Sequence, residues 1–234
     1  MNIDSRSRII RLRDRLVECY GDRVWRGGLS AVGELVATIL SQNTSDRNSS
    51  AGFRQLWRSF RGWNAVADGP VERIERCIRV CGLSNIKAPR IKAILGEIRR
   101  RHARLSLQFL RDWPAEQAYR YLLEFNGVGP KTAACVLLFA FGKSVFPVDT
   151  HIHRIAGRLG LVNKRASAQK TQQRLGELIP PGDRYRLHLL LIEHGRRTCH
   201  ARRPACRQCP LRRMCPCGAG GECYHAARGI RREQ

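Results

Sequence analysis

A chain of 234 residues can fold into one or two domains with an ample core, and its 43 basic against 19 acidic side chains leave a net charge of +24. That balance is a polyanion binder's and makes nucleic acid the expected partner, with RNA, ribosome and chromosome all open on charge alone. No apolar run approaches the length of a membrane span, and the N-terminus has neither the apolar core nor the cleavage site of a secretory signal. The expected compartment is therefore the cytoplasm, where the 10 cysteines are not expected to form disulfides.

In chain order, Ile9, Leu12, Leu16 and Tyr20 give an Arg-rich segment one helical face, ended by Gly21, which reads as a docking helix. After Trp25 and a Gly-Gly break, Ser30 can cap a helix carrying Val32, Val36, Ile39 and Leu40 on one side. It runs into Leu40-Ser-Gln-Asn-Thr-Ser-Asp46, in its own terms a helix end followed by the cap of the next. Phe53, Leu56, Trp57 and Phe60 mark a further helix whose aromatics are assigned to the core. A short helix from Pro70 through Val80 leads to Cys81-Gly-Leu-Ser-Asn-Ile-Lys87, and a basic helix with Ile91, Ile94, Leu95 and Ile98 facing inward follows. Leu83, placed after a glycine, can be a buried loop anchor.

Pro114 suits the first turn of a helix in which Ala118, Tyr121, Leu122 and Phe125 recur at helical spacing. Ala134, Leu137, Leu138 and Phe141 repeat that spacing in a second helix, from near Pro130 to Gly142. Gly127-Val128-Gly129 joins the two. Two glycines let the backbone take positive φ and bring bare N–H groups close to a partner, and the second helix points its positive end the same way, so the loop can hold a nucleic-acid phosphate without reading a base. A tight turn in a helical bundle is the plainer reading of that dipeptide pattern. Lys131 lies in the first turn, where a cation is electrostatically out of place and easier to deprotonate; a neutral amine there is a nucleophile able to form a Schiff base with a sugar aldehyde carbon. Asp149 reads as the N-cap of a third helix with Ile152, Ile155, Ala156 and Leu159 on its core face, though a carboxylate near that amine could also take its proton or stabilise positive charge on a sugar ring.

Leu175, Leu178 and Ile179 mark another helix; after Pro180-Pro181-Gly182, Tyr185 to Ile192 is apolar nearly all round and so expected to be buried. Cys199, Cys206, Cys209 and Cys215 then follow as C-x6-C-x2-C-x5-C, in a segment with too little hydrophobic periodicity to fold unaided. Metal ligation is the economical explanation, and zinc would satisfy four sulfurs. A metal-tied loop would also present Arg196, Arg197, His200, Arg202 and Arg203 to phosphates. Cys217, Cys223 and His225 leave a second metal site open against a Gly-rich disordered tail over 217–234. Nothing alternates as a strand does, so the chain reads as all-α.

Phe125 to Ala133, Val148-Asp-Thr-His151 and the cysteine spacing together resemble the helix-hairpin-helix DNA glycosylases of the endonuclease III type, from about Leu29 to Cys215. Asn126 stands where that family has proline, and Pro130 where it commonly has arginine. The resemblance implies two helical domains flanking a DNA-binding cleft: a six-helix barrel over 25–143, with its helix-hairpin-helix at about 114–141, and a cluster domain built from 1–24 and 144–216. It implies Lys131 and Asp149 as the catalytic pair and a four-iron four-sulfur cluster on Cys199, Cys206, Cys209 and Cys215. Its Leu-Ser…Asp segment implies an amide side chain, Asn43 or its neighbour Gln42, that enters the gap left by a flipped nucleotide. Its Gly-Leu-x-Asn-x-Lys segment implies Leu83 as a wedge between base pairs. Gly127, Val128, Gly129, His151, Arg202 and Arg203 complete the implied DNA contacts. The implied activity is that of a monomeric, DNA-associated bifunctional glycosylase and AP lyase of base excision repair, acting on duplex DNA with oxidised pyrimidines or abasic sites. A glycosylase without lyase activity, and a non-catalytic DNA-binding module with a structural metal loop, are the alternatives.

Overall fold

The structure is a computed structural model and describes residues 3–217; the tail with Cys223 and His225 lies outside the described residues. Every regular element among them is helical: α1 (Ile3–Tyr20), α2 (Ala31–Ser41), α3 (Asp46–Phe60), α4 (Trp63–Asp68), α5 (Val71–Ile78), α6 (Ser84–His102), α7 (Ala115–Leu123), α8 (Pro130–Phe141), α9 (Thr150–Arg158), α10 (Ala168–Leu178) and α11 (Arg184–Arg197), with short 3-10 turns between several of them. None of these helices is long and apolar enough to cross a membrane. The chain divides into two compact units, Arg26–Lys143 and the combination of Met1–Trp25 with Ser144–Gln234.

The middle unit holds α2 to α8 around α2, which packs against α3, α6 and α8. Helix α2 starts where Ser30 Oγ accepts from Gly33 N at 3.2 Å, and its Val32, Leu35, Val36, Ile39 and Leu40 are at most 3% exposed. Burying five such side chains contributes roughly 1.5–3 kcal/mol each relative to exposure. Helix α8, packed against α2, buries Ala133, Ala134, Val136, Leu137 and Leu138 and ends at Gly142 in the left-handed conformation. The stripe Leu56 and Phe60 of α3 is buried, but Trp57 is 46% exposed and rests on Trp63 at 5.1 Å between ring centroids, against the expectation of a core aromatic. Helix α6 begins at Ser84 and takes in both Lys87 and Pro89. Phe125, just past the end of α7, is still core at 3% exposure.

The other unit packs α1, α9, α10 and α11. Ile9, Leu12, Leu16 and Tyr20 of α1 are buried with Ile152, Ile155, Leu175, Leu187, Leu190 and Leu191 in one core, so the predicted docking face is filled. Tyr185, Leu189 and Ile192 are only half-buried, because one face of α11, not its whole circumference, is enclosed.

Candidate nucleic-acid interface

In the middle unit the glycine turn is asymmetric. Gly127 has φ +86°, a backbone only glycine holds cheaply, and a Cβ there would overlap the Arg90 side chain. Gly129 has φ −90° with open space where a Cβ would lie, so its freedom is not conformational, contrary to the expectation that both glycines turn the chain. Val128 is 5% exposed and its N–H donates to Phe125 O at 3.0 Å; its side chain anchors the turn and its N–H is not available to a phosphate, which corrects its place among the DNA contacts. The open donors are further on. Gly129 caps α8 without a side chain, Pro130 has no N–H, and the first intrahelical bond is Ala133 N to Gly129 O at 3.0 Å, which leaves the N–H groups of Lys131 and Thr132 at the positive helix end. Lys131 is half-buried at this end.

Three separate stretches meet beside it. Gln42, the C-cap of α2, donates through Nε2 to Thr132 Oγ1 at 3.4 Å and accepts at Oε1 from Arg90 at 3.4 Å, and Arg90 lies against Gly127. Asn43, next in the chain, is exposed with φ +54°. Leu83 is 48% exposed with φ +52°, so it is no buried anchor, and Val80 and Ile86 beside it are 43% and 47% exposed. Sequence reasoning missed that apolar cluster, along with Arg90, Lys87 and Glu34. A cation on the inward stripe of α6, at i−4 to Ile91, and a lone carboxylate in an apolar helix were the available signals. Burial pushes the Glu34 carboxyl up to about 7, against the opposing pull of a hydrogen bond from Thr38 and the Lys131 charge.

In the other unit Asp149 caps α9, its Oδ1 accepting from Ile152 N at 2.8 Å, and its side chain is half-buried. His151 accepts at Nδ1 from Arg154 at 3.0 Å, which leaves its proton on Nε2. Arg154, 6% exposed, also donates to Gly195 O at 3.0 Å and Cys199 O at 2.8 Å, tying the start of α9 to the first cysteine. Arg158 donates to Cys199 Sγ at 3.2 Å and His200 O at 2.6 Å. Arg202 and Arg203 are exposed; Arg197, exposed as well, pairs with Glu193 at 3.0 Å and lies over the Tyr20 ring.

Cys199, Cys206, Cys209 and Cys215 line one pocket with Ile155, Arg158, Leu159 and Leu211, and Cys217 joins its wall. None of the four is in a disulfide. Burial pushes the Cys209 thiol up to about 11, and the thiolates of Cys199, Cys215 and Cys206 add to it. A thiol whose ionisation is opposed by burial and by three neighbouring sulfurs belongs to a donor set that a cationic metal group relieves. Four thiols around one pocket are a donor set that suits zinc and an iron–sulfur group alike.

The profile of the HhH-GPD superfamily, described as base excision DNA repair proteins, matches residues 36–181, well over half of the chain. This chain belongs to the HhH-GPD superfamily. Among HhH-GPD relatives, a putative DNA glycosylase of Arabidopsis thaliana is 41% identical over 167 residues, 71% of this chain; the chain spans 57% of that relative's length. Endonuclease III of Sulfolobus acidocaldarius is 34% identical over 185 residues, covering 77% of this chain and 79% of its own. A trapped covalent endonuclease III–DNA intermediate with an estranged adenine superposes with a TM-score of 0.79 at 27% identity, over 92% of this chain and 97% of that one. The all-α fold is thus the HhH-GPD fold.

Proposed function

We propose that this chain is a bifunctional DNA glycosylase and AP lyase of base excision repair, acting on duplex DNA that carries an oxidised pyrimidine or an abasic site. The observation that carries the reading is Lys131, half-buried at the second position of α8 directly after the hairpin turn, with helix N–H donors beside it. The Lys131 amine attacks the sugar C1′ as the bond from C1′ to the base breaks and the base leaves with a proton; ring opening gives an imine. Loss of the C2′ proton then breaks the C3′–O bond and releases the 3′ phosphate. Asp149 accepts a proton and offsets the positive charge that develops on the sugar. The endonuclease III relatives and the covalent endonuclease III–DNA intermediate support this chemistry.

Asn43 is the side chain that enters the gap left by the flipped nucleotide, because its exposed left-handed backbone presents it outward while the Gln42 amide is held by Thr132 and Arg90. Leu83, flanked by Val80 and Ile86, is the wedge. Gly127, Gly129, His151, Arg202 and Arg203 meet phosphates, the 25–143 segment acts as the barrel, and 1–24 with 144–216 as the cluster domain. Cys199, Cys206, Cys209 and Cys215 hold a four-iron four-sulfur cluster, which when bound supplies the bonds that fix the loop carrying Arg202 and Arg203. The protein acts as a cytoplasmic, DNA-associated monomer.

The test is borohydride reduction during reaction with a panel of oligonucleotides, each with one modified base or an abasic site. A covalent adduct forms with the wild type on at least one of them, and Lys131→Ala lowers both adduct and strand cleavage by about a thousandfold or more. A Lys131→Ala protein that still cleaves at the wild-type rate overturns the mechanism.

A further inference from the structure

Lys87 is 2% exposed, yet its ammonium is satisfied. Its Nζ donates to Leu40 O at 3.0 Å, Gln42 O at 2.6 Å and Cys81 O at 2.9 Å, which uses all three of its N–H bonds. Leu40 and Gln42 lie at the C-terminal end of α2, where carbonyls lack a helical donor and the helix dipole is negative. Cys81 closes the turn before Gly82 and Leu83. One compact cation therefore joins the roots of two segments that are 38 or more residues apart in the chain. A planar guanidinium does not reproduce three donors diverging from a single atom.

Just beyond those roots stand two exposed non-glycine residues of left-handed backbone, Asn43 with φ +54° and Leu83 with φ +52°. Such conformations are strained for residues with a side chain and persist where the surroundings over-determine them. An apolar side chain at position 87 would leave up to three carbonyls without their donor. Neither Asn43 nor Leu83 touches this ammonium through its side chain; what Lys87 fixes is the backbone that aims them.

We propose that Lys87 is a positioning residue, an internal strut that makes the Gln42-Asn43 and Gly82-Leu83 segments one rigid probe for opening duplex DNA. This rests on the function proposed above. A pre-set probe avoids the ordering entropy that two independent loops would lose on entering the duplex.

The experiment compares wild type, Lys87→Met and Lys87→Arg on the same abasic-site oligonucleotide, single-stranded and in duplex, by rate of borohydride trapping. Formation of the imine at an abasic aldehyde needs no duplex opening, so both variants keep the single-strand rate within about twofold and lose about tenfold or more on the duplex. Equal losses on both substrates, or none on either, overturn the strut. Failure of the wild type to trap either substrate counts against the proposed function instead. Amide hydrogen exchange of the wild type judges the strut without activity and without a variant that must fold. The N–H groups of Gln42 and Gly82, bonded to Ile39 O at 3.2 Å and Arg79 O at 3.1 Å, are expected to open with one shared free energy. Independent opening of the two overturns the proposal.

Discussion

Glu34 sits in the first turn of α2, where the helix dipole favours a negative charge, but its carboxyl is pushed up to about 7 because burial outweighs the dipole, the Thr38 hydroxyl at 3.4 Å and the Lys131 cation. A folded-state value above the unfolded one, near 4.3, means that folding favours the protonated carboxyl. The contribution is fully present below that unfolded value and is lost as pH rises toward and through about 7. At pH 8 the wild type therefore carries a poorly solvated charge that Glu34→Gln removes. Thermal unfolding of the two proteins should show the variant gaining on the order of 2 kcal/mol between pH 5 and pH 8 relative to wild type. A difference that does not change with pH would show that Glu34 titrates as a solvated carboxyl. Because the Lys131 charge is one of the groups holding Glu34 down, Lys131→Ala should steepen the same pH dependence.

At the scale of the element, the hairpin between α7 and α8 holds one glycine whose backbone requires it and one whose backbone does not. Gly127→Ala must keep φ near +86° and move Arg90, so it should cost about 1–3 kcal/mol in thermal unfolding and free Gln42 from its Arg90 contact. Gly129→Ala has an ordinary φ of −90° and open space around the new methyl, so it should leave the unfolding temperature nearly unchanged. Its effect should be on DNA affinity alone, since the methyl stands where a phosphate would approach the N–H groups of α8. Equal stability losses from the two substitutions would contradict this division. The helix ends here were legible in the sequence because their signals are local: Ser30 and Asp149 as caps, Pro130 at a first turn, Gly142 at a last. The link from Gln42 through Arg90 to Gly127 was not legible, because its members lie 37 or more residues apart and nothing in local periodicity relates them. Trp57 shows the same limit from another side. Helical spacing identifies a stripe, but only packing tells which edge of it stays in solvent.

At the scale of the whole molecule the dominant quantity is the net charge of +24, which makes binding to a polyanion salt-dependent whatever the lesion. Each phosphate neutralised adds about −0.9 to the slope of log K against log salt for duplex DNA, so a titration counts cations at the interface. Arg202 and Arg203 are exposed and extend from the loop between the first two cysteines, and Arg203 is held at φ +50°. If both reach phosphates, the double variant Arg202→Ala, Arg203→Ala should flatten the slope by about 2 while the affinity for damaged and undamaged duplex falls by a similar factor, because phosphate contacts carry no base information. Arg197→Ala is the matched comparison. Its guanidinium is already engaged by Glu193 and the face of Tyr20, so removing it takes away the same formal charge but should leave the slope within about 0.5 of wild type. Three arginines of one short region, all exposed, would then differ in the DNA titration for a reason that total charge cannot supply: Arg197 is held by Glu193 and Tyr20 within its own unit. If Arg197→Ala flattens the slope as much per charge as the pair does, the loop has no special place in binding and the general field of the protein suffices.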